Sequence, residues 1–195
     1  QSGLQFDDVP VTVPAFAAIS PIYQTVTIGI CDGGWEIKSY PSWLTVSPTS
    51  GAGIQSILIT PYDNIDMKIN DGTIEVVSKL NSSIKKIITV SQAAFVFDMK
   101  AVTISFEATD NAANAQKVSV DSSSAGWTLS QSDTWFTVSP TSSFDGAKTE
   151  LTIIPTENKN TTPREATITI TSSKNAKYTK VITVTQKGVT SQTAN

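Results

Sequence analysis

Aromatic and amide side chains are the residues of this chain best suited to binding chemistry, because the 195-residue sequence contains no histidine. Without histidine the chain cannot form a Ser-His-Asp or Cys-His catalytic arrangement or a His-ligated metal site. Two carboxylates could still hydrolyse a glycosidic bond. No acidic residue, however, lies in a loop long enough to form a cleft, and no acidic pair recurs in the two similar halves described below. The sequence therefore predicts a non-catalytic protein without a cofactor.

The four tryptophans divide into two pairs. Trp35 and Trp127 share strand parity with the apolar residues two positions later, which predicts that both are buried as structural residues. Trp43 and Trp135 lie opposite the apolar set that follows them. Two interpretations remain open for this second pair. Each ring either covers one end of the fold or forms a platform on which a sugar ring stacks through its C–H face.

Other side chains complete the candidate ligand site. Tyr40 and Tyr62 are loop aromatics without a counterpart in the other half, and Asn64 and Asn158 are loop amides that sugar hydroxyls could meet. Any glycan binding is predicted to be weak and to depend on these aromatic and amide groups rather than on charge.

Two glutamines close the last strand of each half. Gln92 and Gln186 share inward parity with the valines two positions before them. We expect their amides to bond backbone groups at the end of a sheet, which is a structural role.

Oxygen donors are concentrated in one loop of the first half. Asp63, Asp66 and Asp71 could supply part of the six or more oxygens that calcium prefers. The loop lacks the EF-hand spacing, and the matching loop contains Lys159. A solvated turn is the default interpretation, and a metal site is not predicted.

The sequence repeats itself, which fixes the elements that must position these groups. The stretch 43–50 reads WLTVSPTS, and 135–142 reads WFTVSPTS, 92 positions later (135 − 43). A Gly-Trp pair precedes each stretch, and each copy closes with a Val-x-Gln sequence. A self-match of this length indicates two copies of one folding unit.

The hydrophobic pattern within each copy has period two, and turn-forming residues separate the alternating segments. About seven short strands per copy predict an all-β fold of two tandem immunoglobulin-like β-sandwiches. We expect domain 1 to cover residues 1–93, domain 2 to cover 94–188, and residues 189–195 to form a flexible tail.

Composition excludes some partners. The formal net charge of −3 argues against nucleic acid, which requires a basic patch, and no apolar run is long enough to span a bilayer. The single cysteine, Cys31, permits no intrachain disulfide. Its parity predicts a free and at least partly accessible thiol. The alternative is that a bulge before Asp32-Gly33-Gly34 turns the side chain inward, where cysteine is commonly found.

The motif order resembles the BACON family, bacterial Ig-like modules named for their association with carbohydrate-active proteins of Bacteroidetes. The resemblance covers nearly the whole chain, and the second copy is the closer match. The first copy departs where Asp71-Gly72 replaces Arg164-Glu165-Ala166.

The resemblance implies an exported protein at the outer-membrane surface or outside the cell, often a lipoprotein. Its implied partners are polysaccharides, glycoprotein glycans such as mucin, or other surface proteins. Two functions remain open: a glycan-binding module, and a structural spacer or adhesion segment without a glycan site. The shared motif residues are mostly core and turn residues, so the resemblance itself transfers no binding site.

Overall fold

The computed structural model describes residues 6, 11–29, 33–99, 103–122, 125–144 and 146–190. Cys31 and the end of the expected tail lie outside them, so the predicted thiol exposure stays a prediction. The chain divides into two compact units, Gln1–Phe95 and Val96–Asn195, called domain 1 and domain 2 below. Phe95 belongs to domain 1, where its side chain is buried and its N–H donates to the carbonyl of Asp66.

Domain 1 is a sandwich of two sheets. Its strands are β1 (Val11–Thr12), β2 (Gln24–Ile28), β3 (Trp35–Ser39), β4 (Leu44–Ser47), β5 (Ser50–Gly51), β6 (Gln55–Pro61), β7 (Asn70–Ser78) and β8 (Lys85–Gln92). One sheet has the order β1-β8-β7-β3-β5 and the other the order β2-β6-β4. The pairing of β1 with β8 is parallel, whereas the other pairs are antiparallel.

Domain 2 repeats this plan. Its strands are β9 (Phe97–Met99), β10 (Thr103–Phe106), β11 (Gln116–Ser122), β12 (Trp127–Gln131), β13 (Phe136–Ser139), β14 (Ser142–Ser143), β15 (Thr149–Pro155), β16 (Arg164–Ser172) and β17 (Thr179–Gln186). The sheets have the orders β10-β17-β16-β12-β14 and β13-β15-β11-β9, with β10 parallel to β17. A three-residue 3-10 helix, Ala112–Asn114, precedes β11.

The predicted all-β, tandem Ig-like fold is confirmed, with more strands than the predicted seven. The described residues form eight strands in domain 1 and nine in domain 2. The additional strands include the two-residue strands β5 and β14, which lie where the sequence predicts only turns. A two-residue strand is too short to show an alternating pattern.

The paired Gly-Trp motif has a packing explanation. Trp35 and Trp127 are almost fully buried between the sheets, and each pairs in register with the last serine of the neighbouring long strand. Gly34 has a positive φ of 88°, and a Cβ placed there would lie 2.6 Å from the carbonyl oxygen of Gly51. The glycine thus lets the chain pass β5 closely just before the buried indole.

The flexible tail expected at 189–195 stays a prediction. The N–H of Val189 donates to the carbonyl of Asn160 at 2.9 Å, which fastens the chain beyond the last strand. Only residues up to 190 are described.

Candidate functional site

The candidate aromatics of domain 1 lie at one end of the sandwich, where β3 and β6 end and β4 begins. The N–H of Tyr62 donates to the carbonyl of Trp43 at 2.9 Å, so the β4–β6 ladder continues one pair beyond Leu44 and Pro61. The side chain of Tyr62 is 58% exposed. A partly buried indole and an exposed phenol therefore extend from paired positions on two neighbouring strands.

Trp43 and Tyr40 differ in how they are held. Trp43 is partly buried and packs against the hydrophobic core of domain 1, so its indole is a rim residue with some surface left open. Tyr40 follows β3 and is 43% exposed. A Cβ added at Gly72 would strike the ring of Pro41, which shows that the segment after Tyr40 lies tightly against the start of β7.

Trp135 occupies the corresponding position in domain 2 but is covered. Its side chain is only 7% exposed, and the guanidinium carbon of Arg164 lies 4.5 Å from its ring centroid. The ring of Phe136 meets it edge to face, with centroids 4.9 Å apart. Of the two interpretations left open for Trp135, its burial favours the ring that covers one end of the fold, because Arg164 and the core occupy the space that a stacked sugar would need.

Arg164 is fixed over this indole by hydrogen bonds. Its Nε donates to Oε1 of Gln186 at 2.9 Å, and its Nη2 donates to the carbonyl of Thr156 at 2.7 Å. Burial lowers the pKa of Arg164, and the charge of Asp133 partly opposes that shift. A second cation, Lys187, has its pKa raised by a hydrogen bond to Glu107. Neither shift brings an arginine or a lysine close to neutrality at physiological pH.

Among the described residues of domain 1, no cation lies over Trp43 as Arg164 lies over Trp135. Asn70 takes the register position of Arg164, since it pairs with Gln92 as Arg164 pairs with Gln186. The Nδ2 of Asn70 donates to Oε1 of Gln92 at 3.1 Å, but an amide lacks the length and charge to cover an indole. The presence of arginine at this position in domain 2 and of asparagine in domain 1 therefore explains why Trp135 is covered while Trp43 keeps an open edge.

Gln92 and Gln186 join several segments at the end of each domain. Both side chains are buried. The Nε2 of Gln92 donates to the carbonyls of Tyr62 at 2.7 Å and Ala17 at 3.1 Å. The Nε2 of Gln186 donates to the carbonyls of Glu107 and Thr156, each at 3.0 Å. These bonds assign both glutamines a structural role.

Asn64 and Asn158 are buried and hydrogen-bonded in the same way. In each, Nδ2 donates to the carbonyl four residues later and to one near the end of the domain, at 2.8–3.0 Å. Each Oδ1 accepts the backbone N–H two residues later. The prediction that these amides contact a ligand is therefore wrong: they fold the loop that carries them.

The acidic loop does not assemble a calcium site. Oδ1 of Asp63 accepts the N–H of Ser20 at 2.7 Å, which fixes the loop to the chain before β2. Across the described residues, no three acidic side chains, those of Asp63, Asp66 and Asp71 included, converge in a geometry that could hold a metal ion.

Nor does any helix in the described part of the chain have the length and apolarity needed to cross a membrane.

Two family models match this pair of domains. Residues 31–95 match the model described as "Viral BACON domain", and residues 118–187 match the BACON model described as "Putative binding domain, N-terminal". The chain belongs to the BACON family, as two tandem copies. The matched ranges contain both Gly-Trp motifs and both closing glutamines, so the BACON pattern consists largely of residues that build the core.

The fold of the two BACON domains is also found in a solved tandem of domains. The I9-I11 tandem from titin is similar at a TM-score of 0.51 and 10% identity, covering 95% of this chain and 65% of that one. A Bacteroides ovatus GH5 xyloglucanase in complex with a XXXG heptasaccharide matches 49% of this chain at 23% identity and a TM-score of 0.42. This chain spans 19% of the length of that xyloglucanase. No curated protein matches the chain.

Proposed function

We propose that the chain is a non-catalytic glycan-binding module and that its binding surface lies on domain 1. The observation that carries the proposal is the pairing of Tyr62, which is 58% exposed, with a rim tryptophan, Trp43, whose edge is open. Aromatic faces suit the C–H faces of sugars. Tyr40 lies at the same end of domain 1 and extends the aromatic surface.

Domain 2 has the same kind of core as domain 1, but its residues differ at the positions that form the aromatic surface. Thr156 replaces Tyr62 there, and Arg164 covers Trp135. We infer that domain 2 is a structural module beside a binding domain. This difference also favours the second candidate function, a spacer or adhesion segment, for domain 2 alone.

The setting we propose is the outer surface of a bacterium or the medium around it, with the chain exported and its ligand a polysaccharide or a glycoprotein glycan. Family membership supports this setting. The match of domain 1 to a viral BACON model also fits a module carried on a virus particle that meets such a surface. Glycan binding would serve both settings.

Calorimetric titration and a glycan array on the full chain test the proposal. We expect wild type to bind weakly and Trp43→Ala or Tyr62→Ala to bind about fivefold more weakly, because each loses a ring face worth about 1 kcal/mol. Phe144→Ala removes a 95% exposed aromatic from domain 2 and is the matched control. The proposal fails if wild type binds no glycan, and its residues are wrong if both folded variants bind like wild type.

A further inference from the structure

Among the described residues of the three-stranded sheet in domain 1, the side chains of the outer face carry no charge. Strand alternation turns Ile57 and Ile59 of β6 fully into the core and leaves the intervening side chains outside. The outward set, called the hydroxyl face here, consists of Tyr23, Thr25, Thr27, Trp43, Thr45, Ser47, Ser56, Leu58, Thr60 and Tyr62. Six of these ten side chains are threonines or serines, three are aromatic, and the tenth is the apolar Leu58.

Strand register arranges these hydroxyls in rows across the sheet. Thr27 lies opposite Ser56, and their hydroxyl oxygens are 3.2 Å apart. Thr45 lies opposite Thr60 and donates its hydroxyl hydrogen to the Thr60 carbonyl at 3.3 Å. Directly opposite residues on an antiparallel pair present their side chains on the same side, so the rows form one continuous surface.

The aromatic side chains lie at one end of the hydroxyl face. The Tyr62–Trp43 backbone bond places two of them on neighbouring strands. Tyr23 immediately precedes β2, one position beyond the Gln24–Ile59 pair, which places it beside Thr60; its side chain is 58% exposed. Tyr23 was not recognised from the sequence, because it precedes a strand in one copy and has Ala115 as its counterpart in the other.

The same face of domain 2 is charged. Lys117 and Glu150 occupy the positions of Thr25 and Ser56, and their side chains form an ion pair at 2.6 Å. Ile154 replaces Thr60 there. Since the two domains share one fold, the uncharged face is a property of the side chains of domain 1 and is not required by the sandwich.

We propose that the hydroxyl face and its aromatic end bind a neutral polysaccharide, along a length of several sugar units. This inference rests on the proposed glycan-binding function and names its ligand class. From Ser56 to Tyr62 the face extends about 20 Å along the strand, which is too long for a single sugar to fill. Sugar rings stack on Tyr23 and Tyr62, and their hydroxyls exchange hydrogen bonds with the threonine rows.

The absence of charge on these ten side chains gives the selectivity. An acidic polysaccharide would lose water from its carboxylate or sulfate groups against a surface that offers no cation in return. A neutral chain has no such penalty, because the threonine and serine hydroxyls both donate and accept. The face therefore selects neutral over acidic polysaccharides, because it offers no positive charge to pair with an acidic group.

Affinity electrophoresis of the full chain tests the inference, with a soluble β-glucan and a galactomannan as neutral probes and polygalacturonate as the acidic probe. We expect retardation by at least one neutral probe and none by polygalacturonate. Tyr23→Ala is expected to weaken neutral binding about fivefold. Thr45→Glu is expected to weaken it further, because it places an uncompensated charge on the face. Thr137→Glu, the same strand position in domain 2, is the matched control and should bind like wild type.

The outcomes separate the two proposals. If Tyr62→Ala weakens binding while folded Tyr23→Ala and Thr45→Glu bind like wild type, the glycan function stands and the hydroxyl face is overturned as its site. Binding of polygalacturonate alone also overturns the inference but leaves the function. If no probe retards the chain and a glycan array shows no binding, both fail. Circular dichroism checks the folding of each variant, and Thr25→Glu repeats the test where Thr45→Glu does not fold.

Discussion

Arg164 lies over the indole of Trp135 at 4.5 Å, and this contact is one of the differences between two domains that share one fold. The guanidinium covers the ring face and at the same time bonds the closing glutamine, Gln186. In domain 1, the side chain of Asn70 bonds the closing glutamine, Gln92, but is too short to cover an indole. The residue at this one position, Arg164 or Asn70, thus decides whether the tryptophan at the equivalent place in each domain is covered or has an open edge.

Removing this cover should destabilise domain 2 more than the matching change destabilises domain 1. We expect Arg164→Ala to lower the free energy of unfolding by about 2 kcal/mol, since it loses a cation–π contact and two charged hydrogen bonds. Asn70→Ala should lower that of domain 1 by about 1 kcal/mol. Amide hydrogen exchange in β16 and β7 of the full chain measures each domain separately. Equal effects of the two substitutions would show that the cover contributes nothing.

Gln92→Glu should make the stability of domain 1 depend on pH. The buried position and its carbonyl neighbours favour the neutral acid, so the folded-state pKa of the new carboxyl would rise above its unfolded value. The folded state then binds more protons than the unfolded state, and stability falls as pH rises between the two pKa values. Urea unfolding at pH 5 and pH 8 measures this slope. Gln55→Glu, at an exposed position, should show no comparable slope.

Asn64→Asp tests the structural role of the buried amides. The substitution keeps the acceptor for the Asp66 N–H but replaces the donor to two carbonyls with an oxygen. We expect domain 1 to lose about 2 kcal/mol or more of stability, as much as in Asn64→Ala. Asn158→Asp should do the same to domain 2, read by urea unfolding. Wild-type stability in Asn64→Asp would contradict the assigned bonds.

The proposed binding surface should be transferable to domain 2. Ala115→Tyr and Thr156→Tyr supply both missing aromatics, and Arg164→Asn uncovers Trp135. Lys117→Thr, Glu150→Ser and Ile154→Thr replace the ion pair and the isoleucine of the same face with the hydroxyl residues of domain 1. If the neutral probes bind wild type, calorimetry should show the number of sites per chain rise from one to two in this sixfold variant. The control carries the same changes with serine instead of tyrosine at positions 115 and 156 and should keep one site. Unchanged stoichiometry in a folded sixfold variant would show that the face and its aromatics do not make the site.

The sequence predicts the sandwich well because strand alternation is a local property. Period-two segments and turn residues are sufficient to place the long strands, and the repeat shows that the fold occurs twice. The burial of Trp135 could not be predicted in this way. Its cover comes from Arg164, 29 positions later in the chain (164 − 135). Parity shows which side of a sheet a side chain leaves, but it does not show which distant side chain packs over it.

The candidate amides show a second limit of sequence reasoning. Asn64 and Asn158 lie in polar loops, where the type of residue is the same for a ligand contact and for a loop-closing bond. Their partners include carbonyls 29 residues away, which only the folded chain brings near. The threonine rows of the hydroxyl face, in contrast, follow from parity once the strands are paired.

The parallel pairing of β1 with β8 and of β10 with β17 gives each domain a direction of mechanical strength. In both pairs a strand near the start of the domain runs beside the last strand in the same direction. Tension applied through the two chain ends pulls these strands past each other along their length, so the bonds of the ladder are strained together rather than broken one after another. Each domain is thereby suited to bear load that is applied along its chain.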